Sequence, residues 1–235
     1  TNVPDYCIGE VTDHTIGMVL ALNRRLVPHD AAVKRGGWSE VALDQPMKRM
    51  AGATYGVIGF GRIGRSVGAK AAAMGMQVLA YDPLLEAGQE LENATSVDLD
   101  ELLAKADFAS VHVPLTDETR GMIGKEELAA MKPGAIIVNP ARGGLIDEAA
   151  LAAALASGHI AGAGLDVMEP APPANDHPLL QQKNVIITPH TAFFSQASTL
   201  ELETRTAREV VRVVQGERPE NFINPEVAGS SRVGI

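Results

Sequence analysis

Gly56-Val57-Ile58-Gly59-Phe60-Gly61-Arg62-Ile63-Gly64 is the stretch on which the fold of this chain turns. An apolar run ends in Gly-x-Gly-x-x-Gly, and a helical pattern follows from Arg65 to Met74. Each glycine has a physical task. Gly59 permits a tight turn out of a strand, Gly61 leaves room for a pyrophosphate to approach the backbone, and Gly64 lets the helix pack close to the sheet. The helix N-terminus then offers unpaired N–H groups and a partial positive charge to an anion. A glycine hexad alone also fits a structural turn. Here the next apolar run, Met76-Gln77-Val78-Leu79-Ala80-Tyr81, ends at Asp82, about 20 residues on, where a carboxylate meets the adenosine ribose hydroxyls. Dinucleotide binding is the stronger reading.

Strands and helices alternate outward from this motif. Strands are expected near 54–59, 77–82, 108–113, 135–139, 160–165 and 185–187. Helices are expected near 62–74, 98–103, 125–131, 145–156 and 195–215, with a Pro-rich loop over 167–182. The pattern predicts an α/β fold, a Rossmann-type doubly wound and mostly parallel sheet. Upstream, Val11, Ile16, Val19, Leu20, Leu22 and Leu26 recur at helical spacing, and Asn23-Arg24-Arg25 read as the solvated end of that helix. Residues 27–50 read as an arm with one short helix, and its single Trp38 reads as a packing anchor, against a second subunit in one version. Residues 1–8 read as an extended piece with a turn, and the tail after Pro225 as loosely held.

Bulk properties exclude several classes. A net charge of −9 with no Lys/Arg cluster argues against a nucleic-acid surface, and only 4% aromatic residues leave little for base stacking. No apolar run approaches a membrane span and no secretory signal opens the chain, so a cytoplasmic setting without membrane association is expected. Cys7 is the only cysteine, which excludes an intrachain disulfide and a Cys-rich metal site. No pair of histidines has a metal-ligand spacing, so no metal is expected.

In such sheets ligands bind beyond the carboxyl ends of the strands. The residues at those ends are therefore the informative ones: residues 59–64, Asp82, Pro114, Pro140-Ala141-Arg142, Asp166 and His190, expected to converge although separated by up to about 130 positions. Arg142, in Asn139-Pro140-Ala141-Arg142-Gly143-Gly144, offers a planar fork suited to a carboxylate and able to polarise a carbonyl. His190, in Thr188-Pro189-His190-Thr191-Ala192, can give or take a proton near neutral pH. His14, His29, His112, His159 and His177 are read as structural. A hydride acceptor, a carboxylate clamp and a proton donor are what reduction of a 2-keto acid requires.

Taken together, the chain resembles the D-isomer-specific 2-hydroxyacid dehydrogenases. The resemblance is carried by Asn2-Val3-Pro4, the motif at 59–64, Tyr81-Asp82-Pro83, His112-Val113-Pro114-Leu115-Thr116, Asn139-Pro140-Ala141-Arg142-Gly143-Gly144, Gly164-Leu165-Asp166-Val167 and Thr188-Pro189-His190. Within the family, His190-Thr191-Ala192-Phe193-Phe194-Ser195 and the closing helix resemble the C-terminal-binding-protein branch. The resemblance implies NAD as cofactor, with Asp82 disfavouring a 2′-phosphate, and a homodimer paired through helix 10–26 and the arm. It implies that Arg142 binds and polarises the substrate and that His190 is the acid/base. Gly59, Gly61, Gly64 and the pyrophosphate donors Arg62 and Ile63 would then hold the cofactor, with Val113 and Pro114 bordering its adenosine half. Thr119, Pro140 and Ala141 would complete that lining, Asp166 would meet the nicotinamide carboxamide beside Arg142 and His190, and Phe193 would lie beside the substrate.

The domains expected are an NAD-binding Rossmann domain over 9–192, including the dimerisation helix and arm at 9–50, and segments 1–8 and 193–235 returning to a substrate domain. The resemblance places most of that substrate domain ahead of Thr1, so the chain is expected to lack it. It also places a catalytic glutamate five positions after Asp166, where this chain has Ala171. Glu169 is near, at the wrong spacing. The leading expectation is an NAD-dependent oxidoreductase interconverting a small 2-keto acid and a D-2-hydroxy acid. The rival is an NAD(H)-binding dimeric sensor or corepressor-like module with weak or no catalysis.

Overall fold

The computed structural model describes residues 1–38, 47–224 and 226. Part of the expected arm, 39–46, together with Pro225 and the tail from 227 on, lies outside the described residues. The chain divides into two compact units, residues 11–192 and residues 1–10 with 193–235.

The unit 11–192 is built on seven parallel strands: β1 (Thr54–Ile58), β2 (Gln77–Tyr81), β3 (Thr95–Ser96), β4 (Phe108–Val111), β5 (Ala135–Asn139), β6 (Ile160–Leu165) and β7 (Val185–Ile187). Their order is β3-β2-β1-β4-β5-β6-β7. Chain order therefore reverses between β1 and β4, where Ile58 stands opposite Val111. This is the crevice at which doubly wound sheets take their ligands. The Rossmann-type α/β fold read from the sequence is the fold observed. The sequence reading missed β3, whose two residues are too few for a periodic signal.

Side chains alternate between the faces of the sheet, as a period of two demands. Ile58, Ala109, Val111, Ile137, Ala163 and Leu165 point to one core, closed by α4 (Leu99–Lys105), α5 (Lys125–Ala130) and α6 (Glu148–Ala156) through Leu102, Leu103, Leu128, Leu151 and Leu155. Tyr55, Val57, Val78, Phe108, Ile136 and Val138 point to the other. That face is covered by Ile16, Met18 and Val19 of α1 (Ile8–Asn23) and by Val67 and Ala71 of α3 (Arg62–Ala73). The helix expected from 145 begins later, because Leu145 and Ile146 are buried ahead of it and Asp147 caps α6, accepting the N–H groups of Ala149 and Ala150 at 2.9 Å each.

Two readings upstream need correction. Asn23 is buried rather than a solvated helix end: its amide donates to Lys48 O and its carbonyl accepts Lys48 N–H, both at 2.9 Å. This two-way bond pins the chain where it returns after α2 (Leu26–Lys34). Trp38 is 82% exposed in the single chain, which leaves of its anchor reading only the version against a second subunit, and Leu26, Val27 and Val33 are exposed on α2.

In the unit formed by 1–10 and 193–235, α7 (Gln196–Val214) starts at Ser195, whose hydroxyl accepts Ser198 N–H at 2.9 Å and donates to Glu10 Oε1 at 2.7 Å. Arg205 joins Asp5 at 2.5 Å and Glu201 at 2.9 Å, and Thr1 donates to Glu209 Oε2 at 3.0 Å. Phe193 meets Tyr6 edge to face, with ring centroids 6.4 Å apart.

Candidate active site

Because the sheet is parallel, every strand delivers its carboxyl end to one edge. The loops there are bonded to one another in a row. Gly59 leaves β1 with φ +94°, a conformation that a side chain would strain, and its N–H donates to Tyr81 O at 2.7 Å. A Cβ on Gly59 would stand 2.7 Å from Val113 N, so the turn lies against the segment following β4. The Phe60 N–H donates to Asp82 Oδ2 at 2.8 Å and Leu84 N–H to Asp82 Oδ1 at 3.0 Å. Asp82 thus braces the glycine turn from the end of β2.

Gly61 precedes α3 with nothing within 4 Å of where its Cβ would be, so the space over the helix start is open. Arg62 and Ile63 occupy the first helical turn, where no preceding turn accepts their N–H groups. Gly64 is packed to the limit: a Cβ there would lie 2.0 Å from Gly59 O. An open cradle of N–H donors at the positive end of a helix, with a carboxylate across from it, fits a dinucleotide's pyrophosphate and ribose.

Past β4, His112 donates its N–H to Ile58 O at 2.6 Å, and its ring Nε2 lies 2.8 Å from Ser110 Oγ. Desolvation of the ring lowers its pKa to about 3. Thr119 uses its hydroxyl to hold the loop after Pro114, donating to Pro114 O at 2.7 Å and accepting Thr116 N–H at 2.8 Å. Gly121 N–H then donates to Gly144 O at 2.7 Å, which ties this loop to the one after β5.

The loop after β5 carries Pro140, Ala141 and Arg142. Asn139 folds it back by donating to Arg142 O at 2.8 Å and accepting Ala141 N–H at 3.0 Å. The Arg142 side chain is exposed and donates to Ala141 O at 2.7 Å; among the described residues no carboxylate pairs with it. Gly143 and Gly144 close the motif at 139–144, and their task becomes visible only in the fold. A Cβ on Gly143 would lie 2.5 Å from Met168 C and O, and one on Gly144 would lie 2.2 Å from Glu169 Oε2. The Arg142 loop therefore rests directly on the backbone after β6. Glu169 is committed there: its carboxylate takes Arg120 Nη1 at 2.6 Å, and its N–H donates to Glu148 Oε1 at 2.8 Å. Ala171, two residues on, is exposed.

Asp166 directly follows β6, with its side chain wholly enclosed. Its Oδ1 accepts Thr188 Oγ1–H at 2.5 Å and Thr191 N–H at 2.9 Å, and its Oδ2 accepts Ala192 N–H at 2.9 Å. Its backbone carbonyl accepts His190 N–H at 2.8 Å. The carboxylate that the resemblance assigns to the nicotinamide carboxamide thus gathers the arch 188–192 around itself. At the top of that arch His190 is exposed and held at φ +55°, a left-handed conformation uncommon for a residue with a Cβ. Among the described residues no group of three or more His, Cys, Asp or Glu is placed to hold a metal.

An anion cradle at the switch point, a guanidinium after β5 and an imidazole after β7 define a nucleotide-dependent α/β enzyme of the Rossmann class. Residues 16–192 match the family described as D-isomer specific 2-hydroxyacid dehydrogenase, NAD binding domain. The chain is 40% identical over 228 residues to a glycerate dehydrogenase of Methylorubrum extorquens, covering 94% of this chain and 70% of that one. It is 43% identical over 225 residues to a D-3-phosphoglycerate dehydrogenase of Methanocaldococcus jannaschii, covering 95% of this chain and 42% of that protein, less than half its length. The structure of D-lactate dehydrogenase from Aquifex aeolicus complexed with NAD and lactic acid superposes with a TM-score of 0.85 at 35% identity, over 92% of this chain and 69% of that one. The chain belongs to the D-isomer specific 2-hydroxyacid dehydrogenases, NAD-dependent enzymes that move hydride between 2-keto and D-2-hydroxy acids, and its cofactor is NAD.

Proposed function

We propose that this protein interconverts a small 2-keto acid and the matching D-2-hydroxy acid, with Arg142 and His190 as the residues that handle the substrate. Bound at the glycine turn, NADH supplies the hydride. Arg142 holds the substrate carboxylate and draws charge from the carbonyl oxygen, and His190 gives that oxygen its proton. The observation that carries this reading is the placement, at one edge of the sheet beyond β5 and β7, of an exposed guanidinium that no carboxylate among the described residues pairs with and of an exposed imidazole. Gly59, Gly61, Gly64, Arg62 and Ile63 take the pyrophosphate, Asp82 the adenosine ribose, and Val113, Pro114, Thr119, Pro140 and Ala141 line the nucleotide. We assign Asp166 to holding the arch under His190.

The relatives' names offer glycerate, phosphoglycerate and glyoxylate chemistry as candidates. The test is NADH oxidation with glyoxylate, hydroxypyruvate, pyruvate and 3-phosphohydroxypyruvate. One of them is turned over by the wild type, and Arg142→Ala lowers kcat/KM by about a hundredfold or more, the scale of a lost charge-assisted bidentate contact. An unchanged rate in that variant removes Arg142 from the role. Ala171 favours a second reading, an NAD(H)-binding module with little turnover, for which NADH titrates and no keto acid of the panel is reduced.

The unit 11–192 we take as the NAD domain and the unit of 1–10 with 193–235 as part of a substrate domain. The exposed Leu26, Val27, Val33 and Trp38 support pairing with a second copy of the chain. Trp38→Lys should then shift the light-scattering mass toward the monomer, and an unaltered mass would discard that face. Among the described residues no helix is long and apolar enough to cross a membrane, which is compatible with a cytoplasmic place.

A further inference from the structure

His14 was read as a structural histidine, yet it reaches the arch. It sits on α1, 174 positions before Thr188, and its Nε2 lies 2.9 Å from Thr188 Oγ1. The same hydroxyl lies 2.5 Å from Asp166 Oδ1, an oxygen that already accepts Thr191 N–H. A threonine hydroxyl has one hydrogen. That hydrogen is used on Asp166, so Thr188 is the acceptor toward His14 and Nε2 is the donor. Three groups therefore form a directional chain, His14 to Thr188 to Asp166. Its last member bonds the backbone at His190 and at the two residues after it: its carboxylate accepts Thr191 N–H and Ala192 N–H, and its own carbonyl accepts His190 N–H.

We infer that His14 is a positioning residue of the hydride-transfer site: its Nε2–H donates to Thr188, which fixes the arch that presents His190. The inference rests on the reading of His190 as the acid/base. His190 stands in a left-handed conformation that local preference does not favour, so the surrounding bonds hold it there. Without the donor from His14, the Thr188 hydroxyl is free to rotate away from Asp166, and the arch loses one of the three bonds to that carboxylate. The position of an acid/base group relative to substrate is worth large factors in rate, and a displacement near 1 Å costs up to about a hundredfold.

The test uses the whole chain and the best keto acid of the panel. His14→Phe keeps the ring volume and removes the donor, and it should lower kcat about tenfold while KM for NADH stays within about twofold. His14→Gln restores a donor and should recover most of the rate. Thr188→Val should reproduce the loss, and the double variant should lose no more than either single one, because both cut the same chain. Independent losses that multiply in the double variant overturn the inference, as does full activity in His14→Phe. Should the phenylalanine variant fail to fold, the glutamine and valine variants carry the comparison. A second measurement does not need turnover: ¹⁵N spectra of the imidazoles should show His14 protonated at Nε2. A ring protonated at Nδ1 alone overturns the chain of donors. A wild type that reduces no keto acid refutes the role of His190, and with it the positioning role, while the spectra still decide the bond.

Discussion

Replacing Gly64 or Gly61 by alanine separates the two tasks of the glycine turn. At Gly64 the new Cβ would be 2.0 Å from Gly59 O and 3.0 Å from Val57 Cγ1. The oxygen has no room to retreat, because Gly59 is wedged against Val113 N and bonded to Tyr81 O at 2.7 Å. Overpacking of this kind costs about 1–3 kcal/mol, and a clash with a backbone oxygen, which cannot rotate aside as a side chain can, puts it at the upper end. The better helix propensity of alanine returns about 1 kcal/mol. A net loss of about 2 kcal/mol should lower the melting temperature by roughly 4–8 °C for a unit of this size. At Gly61 the result is different. Nothing lies within 4 Å of its Cβ, and its φ of −73° suits alanine, so the melting temperature should stay within about 1 °C. What alanine fills there is the space over the helix start. Losing one or two charge-assisted N–H contacts to the pyrophosphate, at about 1.5–3 kcal/mol each, should weaken NADH at least tenfold. Scanning fluorimetry and NADH fluorescence titration read both effects. A Gly64→Ala protein as stable as wild type refutes the packing argument, and a Gly61→Ala protein that binds NADH normally refutes the placement of the pyrophosphate.

Asp166→Ala leaves the Thr188 hydroxyl and two backbone N–H groups without their acceptor, and urea unfolding should show a loss of about 3–5 kcal/mol; less than about 1 kcal/mol would mean that the arch stands without it. His112, lowered to about 3 by desolvation, stays neutral when folded and takes a proton near 6.5 when unfolded. The unfolded chain then binds more protons between those values, so stability is full above about pH 6.5 and falls as pH drops toward 3, by at most about 5 kcal/mol. Stability of His112→Asn should vary less over that window, and parallel curves for the two proteins would exclude His112 as the source. Ala171→Glu should carry keto-acid reduction to higher pH than the wild type, because a carboxylate near His190 favours its protonated form; superimposed pH–rate profiles would make position 171 irrelevant.

The sequence reading was most reliable where local periodicity carries the information. Five of the seven strands have four to six residues, each a compact apolar run, and the alternation with helices put their carboxyl ends on one edge. β3 has two residues, too few to show a period, whereas β7, with only three, was legible at 185–187 from its apolar run Val185-Ile186-Ile187. The contacts that shape the site are long-range. Thr188 reaches His14 across 174 positions, and Arg120 reaches Glu169 across 49. No window along the chain contains both partners of either pair. The glycines at 143 and 144 carried a local signal, since small residues in succession mark a close approach, but what approaches them is distant in sequence: the backbone after β6 at Gly143 and the Glu169 and Arg120 side chains at Gly144. The same limit explains Asn23: polar residues after an apolar helix read as solvated until the returning segment at Lys48 is seen to bond it.

The carboxylates around Ala171 have structural duties that bear on how the proton moves. Glu169 holds Arg120, and its oxygen lies where a side chain on Gly144 would be. Glu148 accepts Glu169 N–H and stands 3.1 Å from His177 Nε2. Swinging Glu169 toward another partner would release Arg120 and uncover Gly144, two residues after Arg142, so the rearrangement would loosen the loop that carries Arg142. Asp166 is spent on three donors of the arch, and turning it outward would leave two N–H groups unpaired. Neither acid within the two loops replaces a carboxylate at 171 without dismantling part of the site. On the proposed acid/base role of His190, proton handling there depends on how the arch holds it, and His14 would then matter more than it would beside a carboxylate that fixed the ring directly.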